Sequence, residues 1–159
     1  MTTTAVQTPR AATGRAGDVM SECFKVTRRP RGTKPPADDT YRVAAMRRIA
    51  AARLRYCGLG AMADDVTLIV SELLTNALIH SGATEVSLRI TVDGDTLRIA
   101  VRDGMPGRAQ PGTADAEAES GRGLTLVDAL ARENGGAWGT SDAGAETWCS
   151  LTVPCGEQQ

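Results

Sequence analysis

Aromatic residues are scarce in this sequence of 159 residues, which has one Phe, two Trp and two Tyr. Platforms that stack nucleic-acid bases need several such rings, so that role is hard to build here. An excess of one charge is missing too, with 18 Lys and Arg against 19 Asp and Glu. Composition therefore gives no electrostatic footprint for nucleic acid or an anionic membrane. His80 is the only histidine, and Cys23, Cys57, Cys149 and Cys155 show no C-x-x-C spacing. That argues against zinc and for reduced, buried thiols. No apolar run approaches the roughly 20 residues that span a bilayer. The opening Met1-Thr2-Thr3-Thr4-Ala5-Val6 lacks the charged-then-apolar order of a secretory signal, so a cytoplasmic location is expected. A G-x-x-x-x-G-K-[ST] motif is also missing, which removes the Walker P-loop.

What is present is periodicity that changes along the chain. Residues 1–20, rich in Thr, Ala, Gly and Arg, have no period and read as a disordered tail. Residues 23–27 alternate as a short edge strand. Residues 28–39 hold three prolines and four basic residues, a loop. Val43, Met46, Ala50 and Leu54 recur at helical spacing over residues 41–57, with arginines on much of the remainder, which reads as a solvated face. A second helix is expected over 63–80, begun by Asp64 or Asp65. Val86, Leu88, Ile90 and Val92, then Leu97, Ile99 and Val101, alternate on either side of Asp93-Gly94-Asp95, the pattern of a β-hairpin with one buried face. Residues 104–121 read as a long loop, a kind usually kept for function. A third helix is expected over 123–133, followed by strands at 137–140 and 147–153. Helices with an antiparallel hairpin sheet make a two-layer α+β sandwich.

Three segments carry chemistry. On the second helix, at about 100° per residue, Val66, Val70, Leu73 and Ala77 form a stripe. Glu72, Asn76 and His80 form a polar column at its edge. Leu68, Leu74, Leu78 and Ile79 occupy the rest, so cover on most sides is expected. Such a column either serves a ligand or is absorbed by internal hydrogen bonds or solvent. Asp103, at the end of a buried strand and followed by Gly104 and Gly107, either recognises a base amino group or caps its own turn. Gly121-Arg122-Gly123-Leu124 opens a helix. It is either an anion cradle, with Arg122 available to a phosphate, or a plain loop-to-helix junction.

Taken in order, Ser71-Glu72-Leu73-Leu74-Thr75-Asn76-Ala77-Leu78-Ile79-His80, then residues 103–107, then Gly121-Arg122-Gly123-Leu124 resemble the GHKL ATPase superfamily. Within it they are most similar to the bacterial anti-sigma-factor-type serine/threonine kinases and their solitary actinobacterial relatives. The resemblance implies a Bergerat sandwich over residues 21–155, a mixed and mostly antiparallel sheet covered on one face by helices, with a short tail at 156–159. It implies ATP and Mg²⁺ as ligands. Asn76 would bind the metal, Glu72 would be the general base, and His80 would lie near the triphosphate. Asp103 would bind the adenine amino group, Gly107 would admit the base, and Thr147 is the candidate strand threonine beside it. Gly121 and Gly123 would hinge a lid over the phosphates, with Arg122 and Leu124 in the same box. Met105 stands where the superfamily has the middle glycine of D-x-G-x-G.

The function so implied is transfer of the γ-phosphoryl group of Mg-ATP to a small antagonist protein. The alternative is an ATP-dependent switch that sequesters a sigma factor or other partner without turnover. The expected partners are proteins, with neither nucleic acid nor membrane, and relatives often form homodimers.

Overall fold

The computed structural model describes residues 16–27, 34–80, 83–104, 118–141 and 144–154. Five strands and three α-helices follow in the order β1 (Ala16–Lys25), α1 (Ala37–Tyr56), α2 (Ala63–His80), β2 (Glu85–Asp93), β3 (Thr96–Arg102), α3 (Ala118–Glu133), β4 (Ala137–Ser141) and β5 (Glu146–Thr152). The sheet order is β1-β2-β3-β5-β4, and every described pairing is antiparallel. The α+β sandwich expected from the pattern is the fold observed.

The hairpin forms as its alternation requires. Asp93 pairs with Thr96 around Gly94, which takes φ 66, a left-handed value that a glycine adopts without strain. Pairing sets side chains into rows across the sheet. Met20, Ile90, Ile99 and Cys149 form one such row, all at most 1 % exposed. Against this face lie the helices, through Val43 and Leu54 of α1, Val66, Ile69, Leu73 and Leu74 of α2, and Leu124 and Val127 of α3. The opposite face is polar and solvated, as antiparallel sheets permit. There Arg98 lies 5.4 Å from the Trp148 ring centroid and 3.4 Å from Glu146, and Arg89 pairs with Asp18.

Several boundaries differ from the periodic reading. β1 begins at Ala16, inside the stretch expected to be tail, because a register with β2 supplies partners that the local sequence does not advertise. α1 begins at Ala37 rather than 41. Pro36 precedes it in extended conformation, and Asp38 and Asp39 in the first turn complement the helix dipole. Asp39 is only 2 % exposed and its Oδ2 accepts the Thr27 N–H at 3.2 Å, tying β1 to the helix start. α3 begins at Ala118 rather than 123, so Gly121 and Gly123 are inside the helix and not ahead of it. A glycine in a helix costs about 1 kcal/mol, which packing of Leu124 and Val127 overrides. The cover expected around α2 is incomplete, since Leu68 is 45 % exposed.

Connections decide which ends meet. α2 ends at His80 and β2 begins at Glu85, so the C-terminal end of α2 lies at the sheet end carrying Glu85, Arg102 and Glu146. α3 runs the other way. At its C-terminal end the Asn134 amide donates to Asp65 near the start of α2, at 3.0 Å, and its N-terminal half reaches back to Glu72.

Candidate functional site

One end of the sandwich thus collects the second half of α2, the first half of α3, the end of β3 and the start of β5. Glu72 and Asn76 are one turn apart on α2 and half-buried. Burial raises the Glu72 carboxyl above the ordinary carboxylate range. The carboxylate makes no hydrogen bond or ion pair among the described residues. An ionisable group that is desolvated and unpartnered is costly to maintain, and such groups concentrate at functional sites. A methyl group built on Gly123 would lie 2.5 Å from Oε1 of Glu72, so the α3 backbone is part of what covers the carboxylate.

At the sheet, Thr147 pairs with Val101, which pairs with Leu88, and all three face the helices at 8 %, 3 % and 0 % exposure. The Thr147 hydroxyl makes no hydrogen bond among the described residues. A buried hydroxyl without a partner costs about 1–3 kcal/mol, which nothing among the described residues offsets. Asp103 follows β3 and is half-buried. Its N–H donates to the Ala145 carbonyl at 3.0 Å, and the Gly104 N–H reaches the same oxygen at 3.3 Å. Gly104 takes φ 74, which turns the chain away directly after the aspartate. By the strand's period of two, Asp103 continues the side of the sheet that Val101 and Thr147 occupy.

The structure therefore brings Glu72, Asn76, Asp103, Gly123 and Thr147 to one end of the molecule. His80 closes α2 at the same end. Gly121 and Arg122 lie in the early turns of α3. Leu124 has its side chain in the core at 1 % exposure, where it packs α3 onto the sheet. Gly107 and Met105 lie outside the described residues. Ala145 was not legible as a site residue, because its carbonyl meets Asp103 only through the β3–β5 register. Asn134 carries a local signal, a polar residue before Gly135 and Gly136 at a helix end, but its link to Asp65 is tertiary.

Carboxyl, amide and hydroxyl side chains from α2, β5 and the end of β3 are thus gathered at one end of the sandwich. Residues 36–150 match the histidine kinase-like ATPase domain. No curated protein shows a significant match to the chain. The matched span runs from the residue before α1 into β5 and so takes in every residue placed at this end of the sandwich. On that match, which covers well over half of its length, the chain belongs to the family of histidine kinase-like ATPase domains.

Proposed function

We propose that the chain is a regulatory serine/threonine protein kinase of anti-sigma-factor type, which transfers the γ-phosphoryl group of Mg-ATP to a small antagonist protein. The observation that carries this reading is the Glu72 carboxylate, which is half-buried, raised in pKa and without a partner among the described residues. A domain that only bound ATP would have no use for a costly base one turn from the metal-side amide.

In this reading Asp103 accepts from the adenine amino group and Thr147 satisfies its hydroxyl on the same ring. The Asn76 amide oxygen would hold Mg²⁺, which supplies charge neutralisation at the phosphates. An amide oxygen is the hard ligand magnesium prefers. Among the described residues no three His, Cys, Asp or Glu side chains converge, so phosphate and water oxygens would complete the shell. Glu72 accepts the proton of a serine or threonine hydroxyl as its oxygen attacks the γ-phosphorus. The bond to the β-phosphate oxygen breaks and ADP leaves. Raising the carboxyl pKa makes Glu72 a better proton acceptor near neutral pH. A cytoplasmic setting supplies the ATP. No helix among the described residues is long and apolar enough to cross a membrane.

Incubation with γ-labelled Mg-ATP and small candidate antagonist proteins tests the proposal, with label expected on serine or threonine of one of them. If no label transfers while partner binding still depends on ATP, the chain is a nucleotide-gated switch and the kinase reading is wrong.

A further inference from the structure

Gly123 of α3 stands directly across from Glu72 of α2. A Cβ at Gly123 would lie 2.5 Å from Oε1, 3.6 Å from Cδ and 4.0 Å from Cβ of Glu72, and these are the three nearest atoms from outside its own stretch of helix. Space for a side chain at position 123 is thus taken by one carboxylate. We propose that Gly123 is a positioning residue for Glu72, in which the absent side chain is the seat that fixes the carboxylate one turn before Asn76. The inference rests on the reading of Glu72 as the base.

Two facts separate this from a hinge or a phosphate cradle. First, Gly123 lies inside α3, the sixth residue of a helix that begins at Ala118, where its N–H belongs to the helical ladder. Nothing in its backbone needs glycine, for it is not among the residues with positive φ. Secondly, Glu72 makes no hydrogen bond or ion pair among the described residues that would hold it otherwise. Packing against α3 is therefore what restricts a side chain with three rotatable bonds. The row Gly123, Val127 and Leu130 faces the core and α2, so the same packing that buries Val127 at 0 % exposure brings the Gly123 backbone to the carboxylate.

Adding a methyl group therefore has effects of opposite sign. The obstructed atom is the free end of a flexible side chain, so the fold yields easily, and alanine is the better helix former. The carboxylate must retreat by about 1 Å to restore ordinary contact, and misplacement of that size costs about 100-fold in rate. A glycine kept for the fold or for the phosphates would not give this combination.

The test uses the full chain and Mg-ATP alone, with water as acceptor and phosphate release as the rate, in wild type, Gly123→Ala, Glu72→Gln and the double variant. The carboxyl carbon resonance of Glu72 is followed by NMR, assigned by its loss in Glu72→Gln. Expected for Gly123→Ala are a melting temperature roughly 2–4 °C higher, Mg-ATP affinity within a few-fold and phosphate release about 100-fold slower. The Glu72 resonance should move, and Glu72→Gln should cost nothing further in that background. An unmoved resonance, a lowered melting temperature or an affinity loss beyond tenfold overturns the proposal. If wild type releases no phosphate, water is not an acceptor for it, and the Glu72 resonance alone decides: moved in Gly123→Ala it supports the seat, unmoved it overturns it.

Discussion

In a Glu72→Gln variant the side chain keeps its shape and its place beside Gly123 but carries no charge. Burial raises the folded-state pKa of Glu72 above its unfolded value. A carboxyl shifted that way stabilises the fold while protonated, and the contribution is lost as pH rises through the folded pKa. Near pH 7 the wild-type protein therefore holds a desolvated charge that the amide does not have. Solvent still reaches part of the side chain and screens it, so the variant should gain only roughly 0.5 kcal/mol, or about 1–2 °C in melting temperature. Calorimetry at neutral pH should show the gain, and it should shrink as the pH falls through the raised folded-state value and be gone below the ordinary carboxylate value. Transfer to a protein acceptor should fall by about 100- to 10,000-fold, with ATP affinity within a few-fold. A variant less stable than wild type at neutral pH would refute the account of the carboxylate as strained by burial. Unchanged transfer would remove it as the base.

Asp103→Asn should weaken ATP binding by about 1–3 kcal/mol and relax discrimination against GTP, because an amide can donate where a carboxylate only accepts; calorimetric titration with both nucleotides decides it, and equal wild-type affinities contradict the assignment. Thr147→Val, which removes a hydroxyl that has no partner among the described residues, should leave the melting temperature unchanged or slightly raised while weakening ATP about tenfold. A marked loss of stability would mean that the hydroxyl serves the fold. Gly136→Ala places a methyl group against the Ser150 carbonyl and the Leu151 Cα, backbone atoms that cannot swing aside. It should cost about 3 kcal/mol and lower the melting temperature by roughly 10 °C; a variant as stable as wild type would show that the α3–β4 junction gives way freely.

Where hydrophobic period and burial coincide, the sequence told the structure well. Leu88, Ile90, Leu97 and Ile99 alternate and are all 0 % exposed, and α2 spans the residues its pattern required. Glu72 and Asn76 were legible as a column because helical spacing alone brings them together. Less legible were features decided between elements. Gly121 and Gly123 look like helix breakers until the Glu72 carboxylate is seen opposite one of them. Ala16 and Gly17 show no alternation, yet they pair with Asp93 and Val92. The inward aspect of Thr147 follows from its pairing with Val101, across an intervening helix and strand, and no local pattern encodes that register.

β5 follows β4 in the chain but is inserted between β3 and β4 in the sheet. Its pairing with β3 joins Ile99 to Cys149 and Asp103 to Ala145, across about forty to fifty residues of intervening chain. Contacts at that separation incur their loop-closure entropy before they return any binding energy, so they form late. During synthesis, the hairpin of β2 and β3 can settle against α2 while its far edge still lacks a neighbour. The Asp103 turn has no Ala145 carbonyl to lean on until residues 145–152 have left the ribosome. Competence for nucleotide should therefore arrive abruptly, with the last strand, and the exposed edge of β3 is the place where an incomplete chain is most open to wrong partners.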